Sequence, residues 1–376
     1  MGAHRTRGRR LSEPSRDWPL VVRRARAEDG DAVLDFASRT WDGWDYVPHA
    51  WPVWLTADDG VLLVGCAGQP ADGSAAVDRD GQELVVGRPL AVARVALTAP
   101  SEAWLEGIRV DPRVRGLDVA TDMQIAELHW AQALGAGMVR YATGEHNEAS
   151  HRLGARHDFE LLTTFRTYWW SESEGDTEED EDESGFGEEA RAAAGALREA
   201  TLARLANDGL IAMTGAGWWA RLADDATFRT GARLYEHRPW ALQELTQDGF
   251  ERHLAAGEVL GAQGEGERWA LAILERGALP SEDISLHLGL LAGDGALAAS
   301  LASAVRAAAG SSIRFRLPTD DPPLLRGHEQ AFAAAGFRSR EWKLHILARP
   351  LGAARPPPAP HAGLIIEDRP VATAGG

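Results

Sequence analysis

The hydrophobic and polar positions of this chain fall into two similar runs of short strands and amphipathic helices. In the first run, Leu20 to Ala25 is rich in Val and Arg and reads as a strand. Ala32, Val33, Phe36 and Ala37 recur at helical spacing behind Ala27-Glu28-Asp29, whose acids favour a helix start. Val61 to Val64 and Glu83 to Val86 read as strands separated by the Gly/Asp-rich loop Gly68 to Gly81. Leu90 to Leu97 and Glu102 to Val110 follow as two more. Asp111-Pro112 ends the second of these, because proline cannot continue a central ladder. Val119 to Leu134 is a strong helix closed by Gly135. Met138 to Ala142 is strand-like, Asn147 to Ala155 a short helix, and Leu161 to Trp170 a last strand.

The second run repeats that order loosely. Thr246 to Ala256 reads as helix, and Glu258 to Ala262, Trp269 to Glu275 and Ile284 to Leu291 as strands. Gly295 to Ala309 is an Ala-rich helix closed by Gly310, followed by a strand at Ile313 to Leu317. Leu325 to Ala335 is a helix and Trp342 to Ala348 the final strand. A tandem duplication of one α/β unit is the simplest account.

Composition places the boundaries. At 376 residues the chain is too long for one ordinary core, and a hydrophobic fraction of 44% is enough for two. Residues 1–18 are polar and basic and are expected to be a disordered tail, with the first domain at 19–170. Residues 171–189 hold eleven acids and no base, which self-repel and cannot bury apolar surface, so a disordered linker is expected there. The second domain is expected at 190–350, and the Pro/Gly/Ala-rich residues 351–376 as a second disordered tail. A net charge of −17 argues against a nucleic-acid partner. Cys66 is the single cysteine, which leaves no internal disulfide framework. Without a long apolar run or an apolar segment behind the basic start, neither a membrane span nor a secretory signal is expected, and a cytoplasmic protein fits.

The most informative segment is Gly107-Ile-Arg-Val-Asp-Pro-Arg-Val-Arg-Gly-Leu-Asp-Val-Ala120. A strand ends at a proline, a basic glycine-containing turn follows, and a helix begins at once. Backbone N–H groups at a helix start are unpaired within the helix, and with the helix dipole they favour an anion. Arg113 and Arg115 add positive charge suited to a phosphate, and Gly116 permits close approach of the backbone.

The region from about Leu20 to Trp170 resembles the GNAT superfamily of N-acetyltransferases. Those proteins carry a [Gln/Arg]-x-x-Gly-x-[Gly/Ala] turn that cradles the CoA pyrophosphate. Arg115-Gly116-Leu117-Asp118-Val119-Ala120 matches it at Arg115 and Ala120 and departs at Asp118, where the family has Gly. A carboxylate there repels phosphate unless it points away; a helix cap is one such role for Asp, and the departure is read as tolerated. The resemblance implies that the main chain of Ile108, Arg109 and Val110 pairs with the pantetheine arm, in a slot where this strand splays from its neighbour. Asn147-Glu-Ala-Ser150-His-Arg-Leu153-Gly154 resembles the family's Asn-x-x-[Ala/Ser]-x-x-Leu-Tyr helix, with Gly154 in place of the Tyr often used as general acid and Asp158 in place of a Gly. The implied architecture is α/β: two tandem GNAT-like domains, each a mostly antiparallel mixed sheet flanked by helices. The implied co-substrate is acetyl-CoA.

Candidate catalytic groups follow from what acyl transfer needs: a base for the ammonium proton and an acid for the thiolate. Glu106 lies two residues before Ile108, and alternation puts both on one face near the slot. In several family members a carboxylate near this point acts as base, so Glu106 is the candidate, against a structural hydrogen bond. Tyr141 and His146 are candidate proton carriers. Cys66 lacks an activating partner, and no carboxylate/His spacing suggests a metal. The stretch Trp41 to Trp54 holds four tryptophans and Tyr46, where the family's first helices cover the acceptor. Trp41, Asp45, Tyr46 and His49 are therefore candidates for reading an acceptor, against a packed lid.

The second copy has Leu291-Ala-Gly-Asp-Gly-Ala296 at the corresponding turn, without arginine and with Asp294 at the helix start. It is read as a degenerate domain that does not bind CoA. The expected activity is acetyl transfer to a small primary amine by direct attack in a ternary complex. The alternatives are acetylation of a protein amine, or CoA sensing or scaffolding without turnover. Homodimer formation is left open.

Overall fold

The computed structural model describes residues 16–38, 45–170, 196–201, 203, 217–275, 286–310 and 312–368. Trp41 and the acidic segment 171–189 lie outside them. The first half supplies β1 (Leu20–Arg24), α1 (Gly30–Ala37), α2 (Val47–Thr56), β2 (Gly60–Ala67), β3 (Pro89–Ala99), β4 (Glu102–Val110), α3 (Val119–Ala133), β5 (Met138–Gly144), α4 (Glu148–Arg156) and β6 (Glu160–Trp170). The second half opens with α5 (Trp218–Asp224), α6 (Ala226–Thr230) and the hairpin β7 (Leu234–Arg238) and β8 (Ala241–Glu244). It continues with α7 (Gln247–Ala255), β9 (Val259–Gln263), β10 (Trp269–Glu275), β11 (Leu286–Gly293), α8 (Gly295–Ala309) and β12 (Ile313–Pro318). Its last elements are α9 (Pro322–Ala334), β13 (Arg338–Ser339), β14 (Leu344–Pro350) and β15 (Leu364–Ile366).

The class is α/β, with a large mixed sheet flanked by helices. Inward alternation divides the first half's strands between two cores. Leu63, Ala91 and Ala93 pack with Met123, Ile125 and Leu128 of α3, whereas Leu62, Val64 and Val92 pack under Phe36, Trp51 and Trp54 of α1 and α2. Helices on both faces explain why β2 and β3 read as nearly continuous apolar runs rather than alternating ones.

The two runs of elements are joined in one thirteen-stranded sheet, ordered β15-β1-β2-β3-β4-β5-β14-β6-β12-β11-β10-β9 with β13 beside β6. The joint is a reciprocal exchange of last strands. β14 lies between β5 and β6, pairing Leu344–Pro350 with Gly144–Met138 on one side and Leu344–Ala348 with Phe165–Glu160 on the other. β6 in turn runs on into the second half, where Phe165–Trp170 pair with Pro318–Ile313 of β12. Each half's sheet is thus completed by a strand from the other. Spacing along the chain carries no trace of this, because both strands keep the apolar content of an interior position.

Three local expectations change. Glu83 to Val86 is not a strand. Only an isolated bridge between Val77 and Glu83 forms there, Gly81 and Gly87 take positive φ, and Val85 and Val86 are exposed. The expected first tail is structured from Arg16, with Trp18 buried in the α3 core and its indole N–H donating to the Val77 carbonyl. The expected second tail is structured to Asp368. It crosses α3, where His129 Nε2 lies 2.9 Å from the Pro358 carbonyl oxygen, and adds β15 in parallel to β1. Composition misled here because proline-rich chain has few self-bonds, yet α3 and the open edge of β1 supply partners from outside it.

Candidate active site

The site begins with how β4 leaves β5. These parallel strands pair only at Glu102↔Met138, Ala103↔Val139 and Trp104↔Arg140. An ion pair from Arg140 Nη1 to Glu102 at 2.5 Å closes that end. Beyond it β4 continues on β3 and β5 on β14, so the edges from Leu105 and from Tyr141 onward diverge. The cause lies at Gly107. Val92 pairs with Arg109 while Arg94 pairs with Glu106, so β4 holds an extra residue, and Gly107 has φ +70°. Such a bulge bends a strand and strengthens its twist. Only glycine fits, because a Cβ there would meet the Trp54 ring at 2.5 Å as well as carry the left-handed strain.

The bulge reverses one expectation. Ile108 and Val110 pack with the α3 core, while Glu106 and Arg109 point to the opposite face. Glu106 therefore does not share a face with Ile108. Its carboxylate is also committed: Arg94 binds it, and Arg238 of β7 grips both oxygens at 2.9 Å. Burial alone would push this carboxyl up, but Arg238 and Arg94 outweigh it and hold it below the usual range. Glu106 is an ion-pair hub between the halves and a poor base.

Asp45 and Tyr46 are placed at the same face, but they serve Arg109 rather than an open acceptor pocket. The buried Asp45 carboxylate takes Arg109 Nε at 2.5 Å and Nη2 at 3.1 Å, and it accepts the Val47 amide at 2.9 Å. The Arg109 guanidinium also lies over the Tyr46 ring, 5.0 Å from its centre. Arg109 therefore offers the slot its main chain and not its side chain.

The slot leads to the basic turn. Asp111 accepts the Arg113 amide and caps the short 3-10 turn Pro112–Val114. Arg113 is also held by its side chain, Nη2 standing 2.6 Å from Asp111 Oδ2, and that bond raises its pKa further. Arg115 is exposed and tethered through Nε to the Val110 carbonyl at 3.2 Å. Gly116 has φ +86°, and a Cβ there would meet nothing within 4 Å, so a ligand can approach the backbone. Asp118 has φ +58°, which explains why glycine is usual at such a position and why Asp, tolerant of the left-handed region, can replace it. Its side chain does not cap α3. It turns toward α4, where Arg156 Nη1 lies 3.2 Å away. The first helical bond runs from the Asp122 amide to the Asp118 carbonyl, so the Val119 and Ala120 amides precede the bonded turns.

On the far side of the slot, Asn147 caps α4 by accepting the Ser150 amide at 3.2 Å. The Tyr141 hydroxyl donates to the Ser150 carbonyl at 3.1 Å, and burial pushes its pKa up to about 12, so it stays protonated at neutral pH. A Cβ on Gly154 would collide with that hydroxyl. The phenol of Tyr141 thus fills space beside the position where the family's α4 Tyr would start. His146 is exposed at the end of β5. Arg156, Arg238 and Arg16 had no local sequence signal, because their partners lie 35 to 347 residues away. Among the described residues no group of His, Cys, Asp or Glu is arranged to hold a metal, and no helix is long and apolar enough to cross a membrane.

A parallel strand pair that opens into a slot, leading to a basic turn and the amides of a helix start, is an arrangement suited to an extended, phosphate-ended ligand. Residues 21–159 match the model of the Acetyltransferase (GNAT) family. No curated protein matches the chain. Among solved structures it is similar to a candidate acetyltransferase from Thermoplasma acidophilum, at 16% identity over 88% of this chain and 99% of that one, with a TM-score of 0.48. It is similar to a GCN5-related N-acetyltransferase from Sphaerobacter thermophilus, at 14% identity over 88% and 95%, with a TM-score of 0.43. It is also similar to a tandem GNAT protein from the clavulanic acid biosynthesis pathway, at 12% identity over 89% and 99%, with a TM-score of 0.42.

Proposed function

We propose that the first half binds acetyl-CoA and transfers the acetyl group to a small primary amine in a ternary complex. The observation that carries this is the splay of β4 from β5 running directly into the Arg115–Ala120 turn. In this reading the pantetheine arm lies along Ile108–Val110 and the pyrophosphate meets Arg115, Gly116 and the α3 amides. The amine attacks the thioester carbonyl, the C–S bond breaks, and the thiolate takes a proton. Tyr141 is the proton donor proposed for that last step, since its hydroxyl stays protonated and borders the slot's α4 side. Glu106 is not proposed as base, and the ammonium proton leaves through water. The second half supports the acceptor side through the β7–β8 hairpin, whose Arg238 reaches Glu106.

A second reading, CoA binding without turnover, is favoured by the committed Glu106 and by Gly154 in the phenol position. One assay separates them. The full chain is incubated with acetyl-CoA and a broad panel of amines, and released thiol is measured. Amine-dependent thiol release that drops at least about tenfold in Tyr141→Phe supports the enzyme. CoA binding with no thiol release across the panel supports the second reading.

A further inference from the structure

Two segments remote in sequence converge on the basic turn and the first turn of α3. The Arg16 side chain, 1% exposed, donates from Nη1 to the Leu117 carbonyl at 2.7 Å and pairs through Nη2 with Asp122 in the first turn of α3. The same Nη2 lies 3.2 Å from the Gly363 carbonyl oxygen. His361 Nε2 stands 2.7 Å from the other Asp122 oxygen, and the Gly363 amide donates to His361 Nδ1 at 3.1 Å. That amide fixes the tautomer, so Nε2 carries the proton and donates to Asp122.

The location gives these bonds a use. Leu117 sits between two residues of positive φ, Gly116 and Asp118, and its own amide makes only a 3.3 Å bond to Val114. The carbonyl anchor from Arg16 therefore sets which way the Leu117–Asp118 peptide faces. The charge also matters. A carboxylate in the first turn of a helix satisfies the dipole but repels a second anion at the same end. Arg16, buried against Asp122, cancels that repulsion.

We propose that Arg16, Asp122 and His361 are positioning residues for pyrophosphate binding, so that the segments at Arg16–Trp18 and His361–Gly363 belong to the CoA-binding apparatus. This rests on the acetyl-CoA reading of the turn. The test is equilibrium binding of CoA and of pantetheine, which lacks the pyrophosphate, to the full chain and to Arg16→Ala, His361→Ala and Arg115→Ala. Arg16→Ala is expected to weaken CoA roughly tenfold and His361→Ala roughly threefold, with pantetheine unchanged in both. Unchanged CoA affinity in both variants, or equal weakening of CoA and pantetheine, overturns the inference. Should Arg16→Ala fail to fold, His361→Ala decides by the same criterion. CoA binding lost in Arg115→Ala but retained in Arg16→Ala and His361→Ala removes the inference alone. A wild-type chain that does not bind CoA removes the reading of the turn and the inference with it.

Discussion

The two strand-to-helix junctions of this chain have the same neighbours and opposite electrostatics. In the first half, eight residues from Asp111 to Asp118 separate β4 from α3, and the side chain at the helix start turns away toward Arg156. In the second half, β11 ends at Gly293 and α8 begins at Gly295. Asp294 alone connects them, and its carboxylate accepts the Ala296 and Leu297 amides, each at 3.1 Å. Partial burial would raise that carboxyl, but the Leu297 amide and Arg268 hold it below the usual range. The second junction therefore carries a covalently attached anion on its helix-start amides, whereas in the first the Asp118 side chain makes no cap bond and turns toward Arg156. The splay itself survives in both halves, since β11 pairs with β12 only over Leu286–Leu288. In the second half that opening is occupied by the hairpin, because a Cβ on Gly289 would meet the Glu236 carbonyl oxygen of β7 at 2.5 Å. Fold geometry is shared, and the difference lies in what fills the end of the slot.

The largest effect expected concerns the exchange of strands. A chain ending at Trp170 lacks β14, which leaves β5 and β6 without a partner between them. It is expected to be insoluble or unfolded by circular dichroism, and a cooperatively folding fragment would show that the halves are separable. Next is the bulge. Gly107→Val forces a side chain into Trp54 at positive φ and is expected to cost more than about 2 kcal/mol in urea unfolding. A smaller loss would mean that the bulge is not under this constraint. Asp294→Ala removes the α8 cap and is expected to cost about 1 kcal/mol without creating a second CoA site. Gain of a second site would show that Asp294 alone excludes the ligand.

The smallest effect separates the two helices. α3 buries Glu127, whose carboxyl is raised well above its ordinary 4.5 by burial, whereas α8 buries no acid. An unfolded carboxyl releases its proton above that value while the folded one keeps it, so Glu127 costs stability increasingly as pH rises. The stability advantage of Glu127→Gln over wild type should grow from about pH 5 to about pH 8. A constant difference would show that Glu127 is ionised in the folded state.

The sequence revealed what is local. Pro112, Gly116 and the helix that follows carry their own turn chemistry, and the short helix expected from Asn147 starts there, with Asn147 accepting the Ser150 amide. The contrast at Asp294 was legible for the same reason. The bulge was not, because strict alternation places Glu106 beside Ile108 unless Gly107 is known to take a positive φ. The partners of Glu106 were also hidden, since Arg94 stands opposite it on β3 and Arg238 comes from 132 residues away. Burial of Asp45 under Arg109 spans 64 residues and likewise leaves no pattern. Motif thus located the turn and the start of α4, while the face of Glu106 and the partners of Glu106 and Asp45 were decided by contacts that only the tertiary structure supplies.

The contrast between the two junctions implies one phosphate-binding turn per chain, in the first half. Calorimetric titration of the full chain with CoA tests it directly. One site per chain is expected, weakened at least about tenfold by Arg115→Ala and unaffected by Arg268→Ala. Two sites per chain, or a single site indifferent to Arg115, would contradict it.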